Sequence, residues 1–404
     1  MVGRALHPIK RLFDKAALEK RLVAGMISGT SADGVDVVFV ELEGHGKGIR
    51  HRILGGSVIP YSRNLREWIL RSYEAGSIHD VCMLNFLIAK FISRAFKDAI
   101  ETSGLRGSDV DLIGSHGQTI YHYPELVSCG GIETRCSLQL GSVQVTAEET
   151  GVITIGNFRA RDIAAGGLGA PIIAYTDYAL LSHPRIARAI QNIGGIANVT
   201  ILPPDPRVED VIAFDTGPGN SLIDFAVSIL YPGMDHDPGG EIAAKGSPDE
   251  EILSELMAHP FIAKPPPKTT GREVFGKSMA EQIIERSQRK GLSKEDIVAT
   301  LTMFTAKSIA ANYRLHVLPR MKIEEIVIGG GGGVKNKTLM KMLEKELSPM
   351  SIRILRHEDL GIDSKVKEAL GMAILAHETL SGIPNNVPGA TGAFKRVVMG
   401  EIAL

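Results

Sequence analysis

Apolar and polar positions along the chain change period several times, and the changes predict the elements. Residues 22–27 form an unbroken apolar run of strand length, residues 28–34 (Ser-Gly-Thr-Ser-Ala-Asp-Gly) are turn-forming, and residues 35–42 alternate as a second strand, so the unit reads as a hairpin. Helical spacing of apolar residues predicts a core helix over 81–100, with Cys82 in its apolar pattern. A short strand ends at 112–114 and runs into His-Gly-Gln-Thr. The arrangement returns in the middle of the chain. A strand at 189–193, a Gly194–Gly195 turn and a return strand at 198–202 are followed by a strand at 211–214 that enters Asp-Thr-Gly-Pro-Gly-Asn. Long helices are predicted at 297–313 and 365–380, and a strand at 323–328 enters five consecutive glycines. A hairpin that recurs half a chain later predicts two related halves, and interleaved strands and helices place the chain in the α/β class.

Length and composition agree. The chain has 404 residues, which fits two domains. With 44% hydrophobic and 23% charged residues it can fill two cores, and its net charge of -1 gives no pull towards nucleic acid or anionic membrane. No stretch is long and apolar enough to span a bilayer. Three cysteines, Cys82, Cys129 and Cys136, lack metal-ligand spacing and a disulfide framework, with a Cys129–Cys136 bridge as the alternative reading in a chain expected to be cytoplasmic. Residues 1–21 are basic (Arg4, Lys10, Arg11, Lys15, Lys20, Arg21) but interrupted by Asp14 and Glu19, and read as an arm or short helix rather than a targeting peptide.

Four segments could carry chemistry. In 28–36 a turn of small residues can aim backbone N–H groups at phosphate oxygens, with hydroxyls from Thr30 and Ser31 and with Asp33 beside a hydrated Mg²⁺; the same residues also suit a plain hairpin turn. Asn192, Gly194, Gly195 and Asn198 stand at the matching point of the second half and share both readings. The glycines 329–333, followed by Asn336, are expensive in conformational entropy, which close approach of a flat ligand would explain; no Gly-Lys-Ser/Thr follows, so this is not a Walker loop. Asp215 ends a buried strand facing glycines, as a general base or as a turn-capping carboxylate. Further polar candidates are His116, Gln118, Thr119, Arg159, Arg161, Asp162, residues 268–273 and Glu368.

Taken in order, SGTSADGVD, GSHGQT, FRARDIAAGGLGAP, NIGGIAN, FDTGPGN, KTTGRE, GGGVKN, KEA and IPNNVPGATGA resemble the anhydro-N-acetylmuramic acid kinases and the related levoglucosan kinases, from about residue 25 to the end. The resemblance implies an actin-like fold of two RNase H-like lobes, 1–160 plus 384–404 and 161–383, with ATP in the cleft and lobes that close on substrate. It implies that Gly29, Thr30, Ser31, Asp33, Gly34 and Asp36 serve the ATP phosphates, with Asn192, Gly194, Gly195 and Asn198 as the matching loop. Gly331, Gly332, Gly333 and Asn336 would lie near the nucleotide. Asp215 falls on the catalytic base, and Arg161, Asp162 and Glu368 on the sugar and catalytic pocket, with His116, Gln118 and Thr119 as further substrate contacts.

The implied reaction is ATP- and Mg²⁺-dependent: water activated by Asp215 opens a 1,6-anhydro bridge, and the released O6 takes the γ-phosphoryl group. The substrate expected is 1,6-anhydro-N-acetylmuramic acid, whose carboxylate invites an arginine; levoglucosan is the alternative sugar, and a non-catalytic actin-fold nucleotide-binding protein the alternative class. A homodimer is implied, with no nucleic acid or membrane partner. Three places depart from the family pattern: Asn157 where Asp is usual, Gly239-Gly240 for a later Asp-Gly, and a longer segment at 126–137.

Overall fold

In a computed structural model of the protein, residues 7–29 and 31–404 are described. The chain runs α1 (Pro8–Ala16), β1 (Lys20–Ser28), β2 (Gly34–Glu43), β3 (Arg50–Pro60), α2 (Arg63–Ala75), α3 (Ile78–Ser103), β4 (Leu112–Cys129), β5 (Ile132–Leu140), α4 (Val143–Thr150), β6 (Thr154–Gly156), α5 (Phe158–Ala164) and α6 (Ala174–Leu181). It continues through β7 (Arg188–Ile193), β8 (Ile196–Leu202), β9 (Ile212–Pro218), α7 (Ser221–Leu230), α8 (Glu250–Met257), α9 (Pro260–Ala263), α10 (Lys277–Arg289), α11 (Lys294–Asn312), β10 (Glu325–Gly329), α12 (Lys337–Leu347) and β11 (Arg353–Arg356). It closes with α13 (Lys367–Leu380), α14 (Pro388–Thr391) and β12 (Glu401–Ala403). Two compact units result: Met1–Leu180 with Val366–Leu404, and Leu181–Lys365. Residues 161–180 and 366–383, expected in the second lobe, therefore lie in the first, because α13 packs on the first unit's sheet.

The first sheet has the order β12-β6-β4-β1-β2-β3, with β5 added to β4; the second has the order β11-β10-β7-β8-β9. In each, a three-strand antiparallel meander is joined through its first strand to two parallel strands: β1 to β4 to β6, and β7 to β10 to β11. Both units thus carry the 3-2-1-4-5 order of the RNase H-like lobe, and the internal echo seen in the sequence is a repeated topology. The fold is α/β and actin-like, as expected.

Each sheet is held by a helix that no amphipathic stripe announces. In the first unit α13 is buried along nearly its whole length. It lies so close to the sheet that a Cβ on Gly25 would sit 1.9 Å from Ala369 O, and one on Gly114 2.2 Å from Met372 O. In the second unit α11 is buried on all sides, between the sheet core (Val199, Phe214, Ile328 with α12) and a helical core built by α7, α8 and α10. A helix that is apolar all round is the signature of such a central position. The opposite face of the first sheet packs on α3 through Leu84, Ile88, Ile92 and Phe96. Cys82, expected in that core, is exposed: it is two residues from Leu84 and so lies off the i, i+4 stripe. Cys129 and Cys136 are free thiols on the β4–β5 hairpin, which occupies the long segment 126–137 and was not read from the sequence. Among the described residues no helix is long and apolar enough to cross a membrane.

The basic N-terminal stretch is tied down by Arg21, which is fully buried. Its guanidinium donates to Lys15 O (2.8 Å), Ala16 O (2.6 Å), Ser381 Oγ (2.8 Å) and His377 Nδ1 (3.1 Å), fixing α1 against the end of α13. His377 in turn donates from Nε2 to Gly44 O at 3.1 Å. Burial, with the Arg21 charge adding to it, pushes the His377 imidazole down to about 4. A folded pKa below the unfolded value means the unfolded chain binds the extra proton. The neutral His377 therefore contributes stability that is complete above about pH 6.5 and is lost as pH falls towards 4. His377→Gln keeps a donor for Gly44 and an acceptor for Arg21 but cannot titrate. We expect its unfolding free energy to fall less steeply than wild type between pH 6 and 5, by about 1.4 kcal/mol per pH unit. Denaturant melts at several pH values check this, and parallel slopes would contradict it.

Candidate active site

In the first unit, the turn between β1 and β2 is built from small residues. Ala32 takes a left-handed backbone (φ 51°), donates its N–H to Gly29 O at 3.1 Å and buries its methyl group. Gly29 is partly exposed and Ser31 exposed, whereas Thr30 lies outside the described residues. Gly34 is demanded by packing, since a Cβ there would come within 2.3 Å of Ile59 O. The exposed Asp33 pairs with Arg66 at 3.0 Å. Among the described residues, no group of three or more His, Cys, Asp or Glu side chains is arranged to hold a metal ion.

Gln118 braces this turn. Its Oε1 accepts from the Ser28 hydroxyl, and its Nε2 donates to Gly29 O (3.0 Å) and Tyr73 Oη (2.8 Å). Gln118, expected among the substrate contacts, is fully buried and shapes the turn through these partners. Gly117, at φ 72°, breaks the alternation of β4. His116 and Gln118 therefore reach different helices: His116 meets Arg159 on α5, and Gln118 meets Tyr73 on α2. The partly buried Thr119 accepts from Gln139 Nε2 at 3.3 Å.

His116 is buried, and desolvation, reinforced by Arg159, pushes it down to about 3. It is neutral at physiological pH. The geometry fits the tautomer in which Nδ1–H donates to Gly117 O (3.2 Å) and Nε2 accepts from Arg159 Nη2 (3.1 Å) and Nε (3.3 Å). Arg159 is half-buried, while Arg161 is exposed two positions along the same helix. The arginine that joins this cluster is therefore Arg159, in place of the expected Arg161.

Glu368 opens α13 beside Lys367, which makes a buried ion pair with Asp177 at 2.5 Å. Glu368 retains exposed surface but is crowded by protein. That crowding raises its pKa, with Asp177 adding and Lys367 and Arg159 opposing. Burial, followed by the charges of Glu368 and Asp33, pushes Asp36 up to about 6. His116, Arg159, Glu368 and Asp36 are thus one electrostatically linked set.

Asp162 has a different part. It has no exposed surface. One oxygen accepts from Thr391 Oγ1 (2.8 Å) and Asn386 Nδ2 (3.1 Å), and the other from Gly169 N–H (2.9 Å). A Cβ on Gly167 would lie 2.2 Å from that carboxylate. Asp162, expected among the substrate contacts, is engaged within the protein and staples the 157–171 segment to 385–393, explaining why FRARDIAAGGLGAP and IPNNVPGATGA occur together. Asn157 starts α5 in a left-handed conformation (φ 50°), which asparagine tolerates.

In the second unit, backbone register lines up Gly329 on β10, Asn192 on β7, Asn198 on β8 and Asp215 on β9 as one row across four strands. Asp215 is buried. Its Oδ2 accepts from Thr269 Oγ1 (2.7 Å) and Thr270 N–H (2.8 Å), and its own N–H donates to Lys268 O (3.1 Å). The loop after Asp215 is held from behind by polar groups of α11. Ser308 Oγ and Asn312 Nδ2 (2.9 Å) donate to Thr216 O, and Thr305 Oγ1 donates to Gly219 O (2.8 Å). The stripe has a sequence signal of its own, polar residues at helical spacing inside an apolar helix.

The two glycine segments are mostly explained by packing. N–H groups of Gly219, Asn220 and Ser221 donate to Gly195 O and Gly194 O at 2.8 to 3.1 Å, so the β7–β8 turn caps the start of α7. A Cβ on Gly329 would strike His357, and one on Gly330 or Gly333 would strike Ile193. Gly332 approaches Asn220 Nδ2. The close approach that the glycines 329–333 permit is therefore made mostly by the protein itself; a Cβ at Gly331 would meet nothing within 4 Å. Asn336, expected near nucleotide, is the N-cap of α12, accepting from Leu339 N–H at 2.9 Å.

The sequence profile of the anhydro-N-acetylmuramic acid kinase family matches residues 21–404. The anhydro-N-acetylmuramic acid kinase of Caldanaerobacter subterraneus subsp. tengcongensis is 44% identical over 397 residues, 98% of this chain and 99% of that protein. The enzyme of the same name from Bacillus cereus strain AH820 is 42% identical over 382 residues, 94% of this chain and 98% of that protein. Among solved structures, component A of the Acidaminococcus fermentans (R)-2-hydroxyglutaryl-CoA dehydratase covers 89% of this chain and is itself covered to 99%, at 13% identity and a TM-score of 0.46. By profile and by identity over nearly its whole length, the chain belongs to the anhydro-N-acetylmuramic acid kinase family.

Proposed function

We propose that the protein is an ATP-dependent kinase that hydrolyses the 1,6-anhydro bridge of 1,6-anhydro-N-acetylmuramic acid and phosphorylates O6, giving N-acetylmuramic acid 6-phosphate and ADP. The observation that carries the reading is the setting of Asp215: a buried carboxylate at a strand end, with one oxygen fixed by Thr269 and Thr270 and with the loop behind it locked by α11. A base needs such positioning more than it needs an unusual pKa.

Asp215 takes a proton from water as the water oxygen bonds to C1. The C1–O6 bond breaks, and its electron pair stays on O6. O6 then bonds to the γ-phosphorus, and the β–γ bridging bond breaks to leave ADP. Opening a bicyclic acetal supplies the alkoxide that phosphoryl transfer needs. The metal enters as the Mg–ATP complex and is part of the substrate, which spares the protein a resident cage. Backbone N–H groups around Gly29 and Ser31 would bind phosphate oxygens. Arg159, held by His116, offers its guanidinium to the lactyl carboxylate. Glu368, whose carboxyl is raised by crowding, would meet the sugar as a hydrogen-bonding partner.

The direct test offers the protein Mg–ATP with 1,6-anhydro-N-acetylmuramic acid and with levoglucosan. We expect ADP release and a sugar 6-phosphate heavier by one water from the first sugar, with levoglucosan turned over far less well; preference for levoglucosan would contradict the substrate assignment. Asp215→Asn should fold normally and lose at least about 1000-fold in kcat, and near-normal turnover would remove the base from Asp215. Arg159→Met should weaken the muramic acid sugar roughly 10- to 100-fold through loss of a charged hydrogen bond, while inhibition by levoglucosan, which has no carboxylate, stays within a few-fold. Equal losses for both sugars would contradict a carboxylate contact.

A further inference from the structure

The second unit buries a lysine beside its reactive carboxylate, and the mechanism above leaves it without a task. Lys268 is 1% exposed. Its Nζ donates to two consecutive backbone carbonyls at the end of α9, Phe261 O at 2.9 Å and Ile262 O at 3.2 Å. It lies 4.6 Å from the centre of the Phe261 ring and 5.8 Å from that of Phe214, the residue before Asp215. The backbone then returns the contact: Lys268 O accepts from Asp215 N–H, and the next two residues supply both donors to Asp215 Oδ2. The segment that cradles Asp215 is thus itself pinned by the lysine side chain.

Burying an ammonium without a full counter-charge partner is costly. Carbonyl dipoles and ring faces lower that cost but do not explain why a neutral residue was not used. A fixed positive charge near Asp215 does explain it, since a buried carboxylate needs help to stay ionised.

We propose that Lys268 is a positioning residue of this family's reaction, whose ammonium fixes the 268–270 cradle and keeps Asp215 in the ionised form that can accept a proton. The inference rests on the reading of Asp215 as the base. Burial pushes the Lys268 ammonium down to about 8, Asp215 opposes that fall, and Lys264 adds to it. The groups facing it are Asp215 on β9, Lys264 just after α9, and His316 beyond α11, which is itself lowered chiefly by burial and then by Lys268. Asp215 is the anion of this set. The sign follows: Lys268 in its charged form lowers the pKa of Asp215, so removing the charge moves the acid limb of the rate profile to higher pH.

The test uses Lys268→Gln, which keeps an N–H donor for the two carbonyls and loses the charge, beside Lys268→Met, which loses both. Rates are measured with Mg–ATP and 1,6-anhydro-N-acetylmuramic acid from pH 5 to 9, with thermal melting as the check on folding. We expect Lys268→Gln to show a KM within about three-fold of wild type. The acid limb of kcat/KM should rise by roughly one pH unit, so that activity lost at pH 6 is largely regained at pH 8. Lys268→Met should show the same shift with a further loss at every pH. An acid limb that stays in place in a folded Lys268→Gln protein overturns the proposal.

Should neither variant fold, linkage supplies a second measurement on folded protein. If the Lys268 ammonium lowers Asp215, the Asp215 carboxylate must raise Lys268 equally, so NMR titration of labelled lysine should find the Lys268 ammonium titrating lower in Asp215→Asn than in wild type. An unchanged value overturns the proposal equally. Asp215→Asn also separates the two claims. If it retains turnover, the base assignment fails; if it is inactive while the Lys268 readouts do not move, only the role of Lys268 fails.

Discussion

Asp215 is fixed in direction by its cradle. Thr269 and Thr270 both donate to Oδ2, and a general base at a strand end requires such a fixed aim. The same demand propagates outward. The loop that follows must not move, so its carbonyls are taken by Ser308, Asn312 and Thr305. Those polar groups lie in the interior, so α11 is surrounded on all sides. The threonine cradle is in turn anchored through Lys268.

The first unit meets an analogous demand differently. Its strand-end turn is braced by a single buried amide, Gln118, and its charged groups are linked through Arg159. His116 can serve Arg159 as an acceptor because burial holds it neutral. Two units with the same strand order have therefore specialised: one carries a rigid carboxylate, the other a set of titratable groups with shifted proton affinities.

Hairpins were legible in the sequence because alternation and Gly-rich turns act locally: β1–β2 and β7–β8 fall where the periodicity puts them. The β4–β5 hairpin was missed because its strands, with Leu126, Val127 and Ile132 exposed, carry no one-sided pattern. Motif residues were found as a set, but their parts were not separable. Asp162 and Asp215 look alike in sequence, each a carboxylate among glycines. Only burial and partners show that Asp162 has both oxygens committed to holding two segments together. Asn336 could have been read correctly, since Asn before an amphipathic helix is an N-cap signal. The glycine run 329–333 was read as room for a ligand, whereas Ile193 and His357 take most of that room.

The central claim is that one event hydrolyses the anhydro bridge and phosphorylates O6. Turnover in ¹⁸O-labelled water tests it most directly, with the product examined within minutes and unlabelled product in the same water as the exchange control. The account predicts one heavy oxygen at C1 of the sugar 6-phosphate, and an O6 and phosphoryl group free of label. Label in the phosphoryl group, or an unlabelled C1, would contradict it.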